Sequence, residues 1–282
     1  MQMSTQVRPA NDINFDRLMD FVNDNHLSFL HPDWLSPRDR LLQQGCYGLL
    51  DGEDLLALIS ATIEVAPVAW LRFFISLRDG NHAAYFSTLF RESARYLRSI
   101  NVHSLYALPM AAWFFKLLED EGFQVVNHLV NLLLALPWEG TQNPIPDLVI
   151  RQMASRDLDK VKSLDSQAFP PLWQIDEASV QKTYHSGAYL TVAYLDDILV
   201  GYQMTTSAFD HAHLARLAVD PAFQGQGFGG ALLKNMLEEM TRLGYAAVSV
   251  NTQADNASSL SVYRKQGFRP EGEPIPVYCL GL

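Results

Sequence analysis

The stretch Leu217-Ala218-Val219-Asp220-Pro221-Ala222-Phe223-Gln224-Gly225-Gln226-Gly227-Phe228-Gly229-Gly230 runs from an apolar strand pattern, through a glycine cluster, into a helix pattern. Residues 212–219 read as the strand. Residues 227–243 read as a long helix, with Leu232, Leu233, Met236, Leu237 and Met240 on one stripe and Gly244 as its stop. Glycine lets the backbone adopt left-handed angles and approach a ligand closely. Without a ligand, the glycines at 225, 227, 229 and 230 would only weaken the start of the helix. A turn of this kind aims free N–H groups at one point, at the positive end of a helix dipole, which suits a phosphate or pyrophosphate. Gly225-x-Gly227-x-x-Gly230 also has the letters of a dinucleotide-binding loop. Its context argues against that reading, because such a loop follows the first strand of a β-α-β fold. Here it follows a helix pair and an antiparallel hairpin, and the next strand ends in Asn251-Thr252-Gln253, with Asp255 only in the loop beyond.

Outward from this stretch, the second half alternates in period. Residues 148–152, 189–195, 198–205, 246–252 and the C-terminal end read as further strands, and 156–168, 177–184 and 258–266 as further helices. The order β-α-α-β-β-β-α-β-α-β implies an α/β fold, a mixed sheet with antiparallel hairpins first and a parallel β-α-β unit in the middle. The first half repeats the plan. Val7-Arg8 matches Ile150-Arg151 and Asp54-Leu55 matches Asp197-Ile198, both at an offset of 143 (8 to 151, 54 to 197). Gly122-Phe123 matches Gly267-Phe268 at 145 (122 to 267), and the final strand 132–136 lines up with 277–281. The polar, Pro- and Gly-containing segment 137–146 reads as a linker. The expected organisation is a domain at 1–136, the linker, and a second domain at 147–282.

The composition agrees with two globular domains. The 282 residues are 48% hydrophobic and 18% charged, so a disordered chain is excluded. The net charge of −10 argues against a nucleic-acid partner, since phosphate neutralisation needs an excess of cations. No apolar run reaches the roughly 18 residues of a membrane span, and the polar N-terminus does not read as a signal peptide. With two cysteines, Cys46 and Cys279, and no CxxC, a reducing, cytoplasmic setting is expected. His211-x-His213 lacks a third ligand in the sequence, so no metal is expected.

The Gln-x-x-Gly-x-Gly loop after Leu217-Ala218-Val219-Asp220-Pro221 resembles the acyl-CoA signature of the GNAT N-acetyltransferases. So does the run from Asn256-Ala257-Ser258-Ser259 through Tyr263 to Gly267-Phe268. Residues 151–173 are similar, more loosely, to the start of the ribosomal-protein alanine acetyltransferases of that family. The resemblance implies two GNAT-like domains, the second catalytic, with acetyl-CoA as co-substrate. It implies that the backbone of Leu217, Ala218 and Val219 pairs with the pantetheine amides. The amides of Gln224, Gly225, Gln226, Gly227, Phe228, Gly229 and Gly230 would hold the pyrophosphate. Asn256, with Ser259 beside it, would bind the pantetheine side or order the loop, and Tyr263 would protonate the leaving thiolate. From the residues alone, Asn256 reads equally as a helix N-cap and Tyr263 as a core tyrosine.

A base must take a proton from the attacking ammonium. The resemblance implies a base, often Glu, on the strand before the loop and six residues before its last apolar residue; counting back from Val219, that position is His213, whose unperturbed pKa of about 6.5 suits the task. Strict alternation would put it on one strand face with Ala215, Leu217 and Val219; a half-buried histidine at a strand start is the plainer reading. The first half lacks the loop. With Leu77 placed on Val219, only Gly80 follows nearby, and Ala111 and Leu118 stand where the second half has Asn256 and Tyr263. It therefore reads as a degenerate copy. Its tryptophans, Trp34, Trp70, Trp113 and Trp138, read as core packing or as part of a substrate cleft. The expected activity is direct acetyl transfer to a primary amine of a small molecule or a protein N-terminus. Its rival is a non-catalytic acyl-CoA sensor, which would need the loop but not Tyr263 or Asn256. A monomer is expected, with the first domain in the place of a second subunit.

Overall fold

The computed structural model describes residues 5–24, 26–31, 35–63, 65–141, 144–187 and 189–282. Residues 1–4, Trp34 and, in the expected linker, Gln142 and Asn143 lie outside that description. The chain forms two compact units, Met1–Asn127 with Ile275–Leu282, and His128–Pro274.

In the first unit come β1 (Thr5–Pro9), α1 (Phe15–Asn23), β2 (Leu27–Leu30), α2 (Pro37–Leu41), β3 (Cys46–Asp51), β4 (Asp54–Ile63), β5 (Val68–Ser76), α3 (His82–Ser99), β6 (Ser104–Ala107) and α4 (Ala112–Asp120). Local chemistry fixes several starts. The Asn14 side chain accepts from the Arg17 N–H at α1, and Ser36 and Asp39 form a capping box on α2. The antiparallel set β1-β3-β4-β5 continues through a parallel β5-β6 pair. α3 lays Tyr85, Phe86, Leu89, Phe90, Ala94 and Leu97 on this sheet at helical spacing.

β7 (Gln124–Ala135) is followed by β8 (Leu148–Gln152), α5 (Leu158–Ala168), α6 (Glu177–Ser186), β9 (Tyr189–Leu195), β10 (Ile198–Ala208), β11 (His211–Val219), α7 (Phe228–Arg242), β12 (Ala247–Gln253), α8 (Ala257–Lys265) and β13 (Arg269–Gly281). The second unit's sheet runs β8-β9-β10-β11-β12-β7, antiparallel except for β11-β12. α7 buries the stripe read from the sequence, Leu232, Leu233, Met236, Leu237 and Met240, together with Phe228.

The duplication is visible element by element. β5 and β11 coincide at an offset of 143 (68 to 211, 76 to 219), and α4 and α8 at 145 (112 to 257, 120 to 265). Both copies carry the same irregularity. In the β4-β5 pair Ser60 opposes Phe73 and Ala61 opposes Leu71, which leaves Arg72 as an extra residue. In β10-β11, Met204 opposes Arg216 and Thr205 opposes Leu214, which leaves Ala215. This register sets Ser76, rather than Leu77, against Val219.

The units differ from the contiguous halves 1–136 and 147–282 by an exchange of terminal strands. β7 pairs with β12 in the second unit, from Leu129↔Gln253 to Ala135↔Ala247. The end of β13 pairs with β6 in the first, from Tyr278↔Ala107 to Gly281↔Ser104. The expected linker also belongs to the second unit, where the Trp138 N–H donates to the Thr241 hydroxyl at 3.0 Å. Sequence alignment matched 132–136 to 277–281 correctly, but a repeat pattern does not say to which sheet a strand is added.

Candidate active site

The glycine cluster forms the turn expected of it. Gly225 has φ +79° and Gly227, which caps α7, has φ +91°, so both need glycine. A Cβ on Gly225 or Gly230 would meet nothing within 4 Å, which leaves room around the turn. No side chain caps α7, so its first-turn N–H groups keep their hydrogen-bonding capacity at the positive end of a helix of 15 residues. The Gln224 side chain ties the loop back to the strand, its Nε2 donating to the Val219 carbonyl at 3.1 Å. Phe228 is buried against Phe223, with ring centroids 6.3 Å apart.

The strand that feeds the loop has an open side. β11 pairs with β10 along its whole length, but with β12 only from His211↔Ala247 to Leu214↔Val250. The bulge at Ala215 coincides with the end of that parallel pairing. Beyond it, among the described residues, Arg216, Leu217, Ala218 and Val219 have no strand on the β12 side. The N–H and C=O groups of Leu217 and Val219 turn to that side, those of Arg216 and Ala218 facing β10, and form an edge that leads directly into the glycine turn.

The bulge also corrects the expected face of His213. Ala212 and Leu214 pack in the cluster with α7, and so do Leu217 and Val219 after the bulge. The extra residue at Ala215 shifts the alternation by one. His213 therefore lies on the opposite face, with Arg216 rather than Leu217. Its Nδ1 sits 2.9 Å from the Ser249 hydroxyl of β12, and burial lowers its pKa from the usual value near 6.5. His211 is exposed and pairs with Asp210 at 2.8 Å.

Tyr263 lies on α8 and is 5% exposed, packed on Leu260, Phe268 and the α7 stripe. Burial raises its hydroxyl well above the usual value near 10, so it stays protonated across the neutral range. Asn256 is the N-cap of α8, its Oδ1 accepting from the Ser259 N–H at 3.1 Å. Sequence reasoning missed Ser249, the bulge, and a buried ionic set around Arg216. The bulge has no sequence signature, and the partners of Ser249 and Arg216 are distant in sequence.

In the first unit the counterpart of the open edge is filled. β6 pairs with β5 only as far as Leu71, and from Phe73 to Ser76 the same side of β5 is taken by β2. Phe74 and Ser76, at the positions of Leu217 and Val219, face Phe29 and Leu27. Phe29 stacks on Phe114 of α4 with centroids 4.3 Å apart, which closes the groove with aromatic rings. Trp113 packs against this core, Trp70 is 4% exposed, and Trp138 packs in the second unit.

The mixed α/β fold of the second unit is that of the GNAT acyltransferases. Residues 158–268 match the Acetyltransferase (GNAT) family, so this part of the chain is a GNAT acyltransferase domain. Over 120 residues it is 28% identical to the ribosomal protein bS18-alanine N-acetyltransferase of Salmonella typhimurium, a match that covers 39% of this chain and 81% of that protein. Two solved structures share the architecture. A tandem GNAT protein from the clavulanic acid biosynthesis pathway superposes with a TM-score of 0.63 at 13% identity, covering 99% of this chain and 98% of that one. A GCN5-related N-acetyltransferase from Sphaerobacter thermophilus gives 0.59 at 15% identity, covering 85% and 81%.

Proposed function

We propose that the chain binds one acetyl-CoA on its second unit and transfers the acetyl group directly to a primary amine. The observation that carries this reading is the open edge of β11 running into the uncapped, glycine-rich start of α7. Backbone groups at Leu217 and Val219 hold the pantetheine as an added strand, with Ala218 between them. The amides from Gln224 to Gly230 hold the pyrophosphate. Asn256 shapes the start of α8 through its bond to Ser259, and so places Tyr263. His213 takes the proton from the amine, and Tyr263 gives one to the departing thiolate. No covalent enzyme intermediate is used: Cys46 is buried with its thiol pushed up by burial, and Cys279 lies in the part of β13 that belongs to the first unit. Similarity to the bS18-alanine N-acetyltransferases supports a protein N-terminus or a small primary amine as acceptor. The first unit is a degenerate copy, the chain works as a cytoplasmic monomer, and neither metal, nucleic acid nor membrane takes part.

Calorimetry with acetyl-CoA tests the site: one equivalent should bind per chain, and a second would refute the reading of the first unit as closed. Thiol release with an amine acceptor then reads the transfer. Tyr263→Phe should lower kcat about 10²–10⁴-fold with acetyl-CoA affinity nearly unchanged. For His213 the sign follows from its burial. The neutral, proton-accepting form persists to lower pH than usual, so kcat/KM should fall only as the pH drops below 6.5. His213→Ala should remove that acid limb, and an identical profile in the variant would assign the base elsewhere.

A further inference from the structure

The two units hold the same chain segment in two arrangements. In the first, β2 follows α1 and lies in the plane of the sheet on the free side of β5. In the second, the segment 143 residues later reads Pro170-Pro171-Leu172-Trp173 and makes only a short 3-10 turn, Pro171–Trp173. The prolines remove two N–H donors that a strand would need.

Below this turn stands Arg216, the residue at which the open stretch of β11 begins. Its guanidinium pairs with the Asp165 carboxylate of α5 at 2.6 Å, the two side chains being 13% and 1% exposed. The Tyr202 hydroxyl donates to the same carboxylate. The guanidinium also donates to the Trp173 carbonyl at 2.5 Å, and its carbon lies 3.8 Å from the centroid of the Phe169 ring. Both ends of residues 169–173 are thus fixed over the face of β11.

At the positions matched by strand register and helix offset the first unit has Phe73, Val22 and Leu58 in place of Arg216, Asp165 and Tyr202. All three pack in one of its apolar clusters. Replacing a buried ion pair by packed apolar groups is often harmless to stability. The first unit contains that replacement, and there the segment lies on the strand edge. What the ionic set adds in the second unit is direction: a planar fork grips one carbonyl and supports one ring, which an apolar cluster cannot do.

We propose that Arg216, Asp165 and Tyr202 form a strut that holds residues 169–173 off the edge of β11 and keeps that edge open to the acyl donor. The inference rests on the reading of this edge as the acetyl-CoA site. Arg216 is a positioning residue in it. The first unit, with an apolar set and a filled edge, is the same device in its closed form.

The test installs the first unit's residues in the full chain, as Arg216→Phe with Asp165→Val and Tyr202→Leu. If the segment then covers the edge in nine molecules of ten, the apparent Kd for acetyl-CoA rises about tenfold. KM for acetyl-CoA should rise in step, with kcat at saturation kept, and the amides of Leu217 and Val219 should gain protection from hydrogen exchange. Should the triple variant fail to fold, Arg216→Lys decides. Lysine still reaches Asp165 but has no fork for the Trp173 carbonyl, and Kd should rise at least about threefold. Wild type that binds acetyl-CoA, with a folded variant binding equally tightly, would overturn the strut alone. Wild type that binds none would overturn the site and the strut together.

Discussion

Expressed alone, residues 147–282 should fail to fold, whereas residues 128–274 should fold and bind acetyl-CoA. The first fragment is the second sequence repeat, and the second fragment is the compact unit. Residues 147–282 lack β7, which pairs with seven residues of β12 and buries Leu129 and Leu132 at 5% and 1% exposure. Val130, Leu134, Leu136 and Trp138 pack on the same cluster as Leu132. Losing one buried leucine side chain costs about 2–5 kcal/mol, against a total stability of about 5–15 kcal/mol for a typical domain. Removing the whole strand should therefore unfold the unit, and the bare edge of β12 would promote aggregation. Circular dichroism and calorimetry on the two fragments decide the matter. A soluble, folded 147–282 that binds acetyl-CoA would show that β7 is dispensable.

Gly230→Glu should abolish measurable acetyl-CoA binding and leave the fold intact. Gly230 lies in the first turn of α7, outside the left-handed region, and a Cβ there meets nothing within 4 Å. The change therefore adds a negative charge without backbone strain. At an effective dielectric of about 20, like charges about 5 Å apart repel by about 3 kcal/mol, which is more than a hundredfold in Kd. Gly230→Ala is the control. It should retain binding and raise the melting temperature, since alanine favours a helix over glycine by about 1 kcal/mol. Gly227→Ala would not serve, because its φ of +91° strains any side chain. Full affinity in Gly230→Glu would place the phosphates elsewhere.

The parts of this molecule that were legible in the sequence are those fixed by local chemistry. The glycine turn, the α7 stripe and the Asn256 cap are each set by residues within a turn or two of one another, and they stand as read. The near-constant offset between the copies was legible because both keep the same element lengths. The face of His213 was not, since counting alternate residues assumes a regular strand and the bulge at Ala215 breaks it. Nor were the strut around Arg216 or the filling of the β5 edge, because each depends on contacts between segments far apart in sequence. The exchange of β7 and β13 lies at the same limit. Either sheet satisfies an apolar final strand, and only the folded chain chooses.

That exchange bears on how the duplicated gene has been able to change. A spare copy is ordinarily free to erode or be deleted. Here the end of the first copy supplies β7 to the second unit's sheet, and the end of the second supplies the last residues of β13 to the first unit's. Mutations in the glycine-poor turn after β5 should leave acetyl transfer untouched, whereas changes at Leu129 or Leu132 should strike the second unit although they lie in the first repeat. Natural selection can thus relax over one repeat's chemistry and still hold its last strand, so that the two copies are inherited as one indivisible gene.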